Sequence, residues 1–175
     1  GSGNCDELVI VEVPIFEQCS DNPLISGYTV SPAKVLRHEN EYRMFFLEEN
    51  SEGTYPADFD LDLMTSSDGL IWDTTYRNVI SSDESGERFN YYATEIKDGD
   101  TYKVWHCATS DSNIAGTKLY YSTSLDGVNY TGHGLVLDNE PYPEYDSRNI
   151  RFPYVVFDGS TYHLYYSAFP GYQSG

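Results

Sequence analysis

Apolar residues along this chain come in short alternating runs, each four to eight residues long and closed by an Asx- or Gly-rich turn, a pattern that predicts strands rather than helices. The runs repeat. Tyr42-Arg43-Met44-Phe45-Phe46, Tyr102-Lys103-Val104-Trp105-His106 and Tyr162-His163-Leu164-Tyr165-Tyr166 follow one another at intervals of 60. Each is preceded by a hairpin-type turn, at His38 to Glu41, Asp98 to Thr101 and Asp158 to Thr161. Before each turn lies a short apolar run, Ala33 to Leu36, Ala93 to Ile96 and Pro153 to Phe157, read as the innermost strand.

A second register supports the first. Thr65-Ser66-Ser67-Asp68-Gly69-Leu70-Ile71-Trp72 aligns without a gap on Thr123-Ser124-Leu125-Asp126-Gly127-Val128-Asn129-Tyr130, an offset of 58. Outer strands are expected at Asn78 to Ser81 and Leu135 to Asp138, with Pro23 to Ser26 as an earlier copy. Each unit is then an inner strand, a tight turn, an aromatic strand, a loop, a third strand ending in Thr-Ser, an Asp-Gly turn and an outer strand. Four antiparallel strands at a fixed period of about sixty residues describe the blade of a β-propeller. A sandwich of hairpins is the other architecture such strands allow, and the regular period argues against it. The expected fold is therefore all-β and propeller-like, in one domain over residues 4–175 after a Gly1-Ser2-Gly3 scar. It comprises a half blade at 7–26, blades at 28–81 and 90–138 and a half blade at 148–168. That makes about three blade equivalents, whereas a closed ring generally needs at least four. A longer propeller, a homodimer completing a ring and open sheets remain the alternatives.

Charge narrows the partners. Ten basic and 28 acidic residues give a net charge of −18, a surface that repels nucleic-acid phosphates and anionic headgroups. No apolar run approaches the length of a membrane span. Cys5, Cys19 and Cys107 include no Cys-x-x-Cys pair, so a thiolate zinc site has little support. A Cys5–Cys19 disulfide and three free buried thiols are both compatible with the spacing. No metal site is expected, apart from Ca²⁺ held by acidic loops at Asp58, Asp60 and Asp62 or at Asp111 to Asn113.

The short inner strand, Asp-Gly turn, Tyr-rich strand and Ser-x-Asp-Gly-x-x-Trp segment together resemble the five-bladed propellers of glycoside hydrolase families 43, 32 and 62 and their relatives, over about residues 22 to 168. The resemblance implies carbohydrate as substrate or ligand, a secreted, periplasmic or cell-surface setting, and carboxylates at the inner strands. One such carboxylate protonates the leaving oxygen and another activates water or attacks the anomeric carbon. Position by position the pattern is incomplete. Thr29-Val30-Ser31-Pro32 has no Asp before Pro, Glu95 in Tyr92-Ala93-Thr94-Glu95 stands where an orienting carboxylate belongs, and Arg151 replaces the expected acid. Substitutes for the missing groups are Glu144 and Asp146, with Glu87 and the Asp58 to Asp62 loop behind them.

Arg148 and Arg151 lie near the expected convergence of the blades, where an Arg fork would bind an acidic sugar or pair with Asp146 or Glu144. Tyr28, Tyr91, Tyr92, Phe152 and Tyr154 could stack on sugar rings. Phe45, Trp105 and Tyr165 are expected between blades, Asp68 and Asp126 in structural turns, and His106 and His163 as satisfied core or edge histidines. Two functions follow: a glycoside hydrolase-like enzyme completed by further carboxylates, or a non-catalytic glycan-binding or oligomerising propeller module.

Overall fold

The computed structural model describes residues 29–49, 59–72, 74–81, 87, 89–110, 115–139 and 145–170. They form an all-β, propeller-like arrangement of antiparallel sheets. The first has the order β1 (Thr29–His38), β2 (Glu41–Glu49), β3 (Leu61–Ser66), β4 (Thr74–Ile80). The second repeats it with β5 (Phe89–Asp98), β6 (Thr101–Thr109), β7 (Lys118–Ser124) and β8 (Thr131–Leu137). β9 (Asn149–Phe157) and β10 (Tyr162–Phe169) pair as a third, two-stranded sheet. The outer strands β4 and β8 begin earlier than the apolar runs suggested, because Thr74 and Thr131 pair with Thr65 and Thr123 ahead of those runs. The expected half blade at 7–26, with Cys5 and Cys19, lies outside the described residues.

Local chemistry explains the repetition. In the first Asp-Gly turn the Asp68 carboxylate accepts from the amides of Leu70 and Ile71, both at 2.8 Å, while Ser66 Oγ accepts from Gly69 N. The second copy has the same net, with Asp126 accepting from Val128 N and Asn129 N and Ser124 Oγ accepting from Gly127 N. These bonds hold both Asp carboxyls below the usual carboxylate range, the backbone amide of Ile71 leading for Asp68 and the Asn129 side chain for Asp126. Side chain replaces backbone as acceptor in a loop that turns too sharply for a ladder.

Each inner strand also carries a register shift at the same place in the repeat. In β1 it falls between Ser31 and Lys34, in β5 between Tyr91 and Ala93, and in β9 between Arg151 and Tyr154. Tyr92 and Phe152, sixty positions apart, both have positive φ, 41° and 53°. This is the signature of a bulge, which kinks the strand and redirects its side chains. It also explains how Pro32 and Pro153 sit in strands, since a bulged residue need not donate to the ladder.

Between the first two sheets, Phe45, Leu61, Leu63, Val79, Ile80, Ala93, Val104 and Tyr130 form one core. A second contains Leu47, Phe89, Tyr91, Cys107, Leu119 and Ile150, and Trp105 reaches the third sheet with its ring centroid 5.4 Å from that of Tyr162. Phe45 and Trp105 thus pack between sheets. Tyr165 does not: it is 62% exposed, because among the described residues no sheet covers that face of β9 and β10. His106 is fully buried beside Ser122 Oγ, 3.3 Å away, and burial pushes its imidazole down to about 3. His163 is instead exposed and pairs with Asp158.

Two stability predictions follow from these positions. Gly127 has φ +75°, and a Cβ there would lie 3.1 Å from both the Arg43 guanidinium and Tyr102, whereas Gly99 at φ +58° has open space. Gly99→Ala should therefore lose only the left-handed backbone penalty of ~1–2 kcal/mol, and Gly127→Ala clearly more, read as urea midpoints. For His106 the unfolded imidazole takes a proton below about 6.5 while the folded one stays neutral until about 3, so its contribution to stability falls as pH drops through that window. Between pH 7 and 4.5 this amounts to about 2–3 kcal/mol, and His106→Leu should lose correspondingly less stability over that interval.

Candidate functional site

The bulges of β5 and β9 bring their side chains together on one cavity. It has a volume of about 250 Å³ and is walled by Phe45, Phe46, Leu47, Leu61, Tyr91, Tyr92, Ala93, Phe152, Pro153 and Tyr154, with Lys34 as the single charged residue. Tyr92 and Phe152 meet with centroids 4.3 Å apart and an interplanar angle of 45°. Phe152 and Tyr154 are about half exposed, so aromatic surface faces the opening.

Lys34, Thr94 and Tyr154 occupy one repeat position on three strands. They converge: Lys34 Nζ donates to Thr94 Oγ1 at 2.9 Å and stands 3.8 Å from the centroid of the Tyr154 ring. Loss of water around the half-buried ammonium lowers its pKa to about 8. Sequence reasoning missed Lys34, whose place just past the β1 bulge, paired with Phe45, is visible only once the three inner strands are superimposed on one period.

The candidate carboxylates lie elsewhere. Glu95 is sealed between the first two sheets with no side-chain exposure. Its carboxylate accepts from Arg43 Nε at 2.7 Å, from His38 Nε2 at 2.8 Å and from the Tyr130 hydroxyl. Arg43 also donates to the carbonyl of Gly127 and to Glu41. Burial opposes charge on this guanidinium, yet Glu95 outweighs it and raises its pKa; burial likewise pushes the Tyr130 hydroxyl up. Glu95 does not line the cavity.

Asp146 is also buried, with one oxygen accepting from the Tyr166 hydroxyl at 3.3 Å. Glu87 accepts from Tyr120, and Asp62 is taken up by Arg77 and by the amide of Asn78. Glu144, Tyr28, Asp58 and residues 111–113 lie outside the described residues. Among the described residues no cluster of three His, Cys, Asp or Glu side chains could hold a metal.

The arginines do not line the cavity either. Exposed Arg148 joins sheet edges through its backbone, donating from N to Phe169 O and accepting from Gly116 N. The Arg151 guanidinium lies over the Phe169 ring at 5.3 Å. The structure thus brings Tyr91, Tyr92 and Phe152 together on the cavity, whose lining does not include Glu95, Asp146, Arg148 or Arg151.

No family model matches this sequence, and no curated protein matches it. Solved structures do. An N-acetylgalactosamine deacetylase from F. plautii, in complex with blood group B trisaccharide, superimposes with a TM-score of 0.64 at 17% identity, over 78% of this chain and 40% of its own. The BT0996 RGII complex gives 0.58 at 12% identity, over 83% and 50%. A Bombyx mori GH32 β-fructofuranosidase gives 0.54 at 16% identity, over 77% and 28%. The chain has a glycoside hydrolase-like fold. It spans half or less of the length of each of these structures, and at such identities the likeness concerns the fold alone.

In this fold the buried ion pair ties one sheet to the next, and its removal is testable. Arg43→Met leaves the Glu95 carboxylate buried without its cation and should cost about 3–5 kcal/mol. Combining it with Glu95→Leu should restore much of that loss, measured by chemical denaturation. Equal losses in the single and double variants would remove the ion pair from this role.

Proposed function

We propose that this chain is part of a glycan-recognising propeller whose cavity at the inner-strand bulges receives a sugar ring. The observation that carries the reading is the composition of that cavity: aromatic faces from Tyr91, Tyr92, Phe152 and Tyr154 with one polar anchor, Lys34. Sugars present C–H faces that pack on aromatic rings and hydroxyls that need a few placed donors, a combination that such walls supply. At about 250 Å³ the cavity is smaller than the sites of drug-sized ligands, which suits a single ring rather than a longer ligand. Support comes also from the similar folds, whose structures include a blood group B trisaccharide complex and an RGII complex. A secreted, periplasmic or cell-surface setting belongs to the same reading.

Recognition is favoured over hydrolysis because none of the described carboxylates lines the cavity, whereas glycoside cleavage needs an acid and a base or nucleophile on opposite sides of the bond. One observation keeps the hydrolytic reading in view: the similar structures extend well beyond the part this chain matches. Further blades, or a second chain completing a ring, would then supply the carboxylates.

Glycan-array screening followed by calorimetry tests the proposal. Tyr92→Ala and Phe152→Ala should each weaken the best glycan about three- to tenfold, as expected for loss of ~0.5–1.5 kcal/mol of aromatic contact, without loss of fold by circular dichroism. Unchanged affinity in both variants would move the site elsewhere.

A further inference from the structure

Among nine described lysines and arginines, Lys34 is the one that combines a place on the cavity with the absence of a carboxylate partner. Arg43 pairs with Glu95, Arg77 with Asp62, Lys103 with Asp98 and Lys118 with Asp138. No described carboxylate forms an ion pair with Lys34. In a chain with 28 acidic residues and 10 basic ones, a half-buried ammonium with no counter-charge among the described residues stands out.

Its surroundings are fixed and neutral. From β5 it meets the Thr94 hydroxyl, with Tyr91 and Tyr92 beside it, and from β9 the Tyr154 ring. β2 contributes Phe45 to Leu47 and β3 contributes Leu61. Of the carboxylates that flank lining residues, Glu95 is committed to Arg43 and His38 and Asp62 to Arg77 and Asn78, and Asp60 beside Leu61 forms no ion pair with Lys34. An ammonium has three protons, of which Thr94 takes one.

Resting on the sugar-binding reading of this cavity, we infer that its ligand is an anionic glycan, with a monoanionic substituent on the sugar accepting a hydrogen bond from Lys34 Nζ while the ring packs against Tyr92 and Phe152. A single cation matches a single negative charge, which suits the carboxylate of a uronic acid or a sulfate ester and not a phosphate dianion facing so acidic a protein. Charge-assisted bonds in partly desolvated sites are the strong ones. The distant surface carboxylates are screened beyond about 8 Å at physiological salt, so they slow the approach of an anion more than they oppose its contact with Lys34. The lowered ammonium pKa gives the selectivity a pH limit. Below about 8 Lys34 is charged and attracts the anion, and above that it loses its proton and the preference with it.

Calorimetry with a galacturonate-terminated trisaccharide, its methyl ester and the matching galactose-terminated trisaccharide carrying one sulfate ester tests this. At pH 6.5 the wild-type protein should bind the uronate or the sulfate ester at least tenfold more tightly than the methyl ester, and the preferred one of the two identifies the substituent. The preference should collapse at pH 9.5. It should vanish in Lys34→Met, which keeps the apolar stem, and persist in Lys34→Arg, which also controls for folding. Binding of the methyl ester equal to that of both anionic probes, or a preference unchanged in Lys34→Met, would overturn this inference while leaving the sugar-binding reading intact. If none of the three sugars binds and no glycan on the array does, both fall together.

Discussion

The contact on which the rest of the arrangement depends is the buried pairing of Arg43 with Glu95. Strand-to-strand hydrogen bonds fix each sheet internally but say nothing about how one sheet sits on the next. Apolar packing between the sheets is largely non-directional. The guanidinium supplies direction. From β2 it grips the inner strand of the following sheet through Glu95 and the Asp-Gly turn of that sheet through the carbonyl of Gly127. Three elements of two sheets are thus held at one register, and Tyr130 and His38 satisfy the remaining capacity of the carboxylate. A half-satisfied arrangement of this kind would cost more than an apolar one, so the geometry is demanding as well as directing.

That anchoring leaves the other half of the inner strands free to build a site. On β5 the bulge at Tyr92 separates Tyr91 from Ala93 in register, and Glu95 lies three residues beyond the bulge. One strand therefore offers its first half to the cavity and its second half to the sheet interface. On β9 Phe152 and Tyr154 likewise line the cavity, while Phe157 at the far end stacks on its cross-strand partner Tyr162 at 4.5 Å within the same sheet.

The repeat was legible in the sequence because turn chemistry is local. Asp68 and Asp126 bind amides two and three residues ahead, and such bonds leave a fixed motif. Alternation likewise marked the strands. What could not be read was anything joining distant segments: Arg43 and Glu95 are 52 residues apart, and a buried carboxylate committed to a guanidinium looks in sequence the same as one facing a ligand. Glu95 reads as a chemical group, Arg43 as an ordinary strand residue, and Lys34 stands just past a bulge that no local pattern announces. Tyr165 shows the converse, since its register is that of Trp105 but what lies over it differs.

Because the same distortion occurs at one place in the three described inner strands, part of the cavity wall, at Tyr92 and Phe152, is made from residues whose identity the ladders hardly constrain. The place is held by Tyr92 on β5 and Phe152 on β9, both lining the cavity, and in the β1 backbone by Pro32. A displaced residue can be exchanged without slipping the ladder on either side of it. Gene duplication of such a unit therefore multiplies independently adjustable positions around one opening, so that new ligand preferences can arise by single substitutions while the scaffold drifts little.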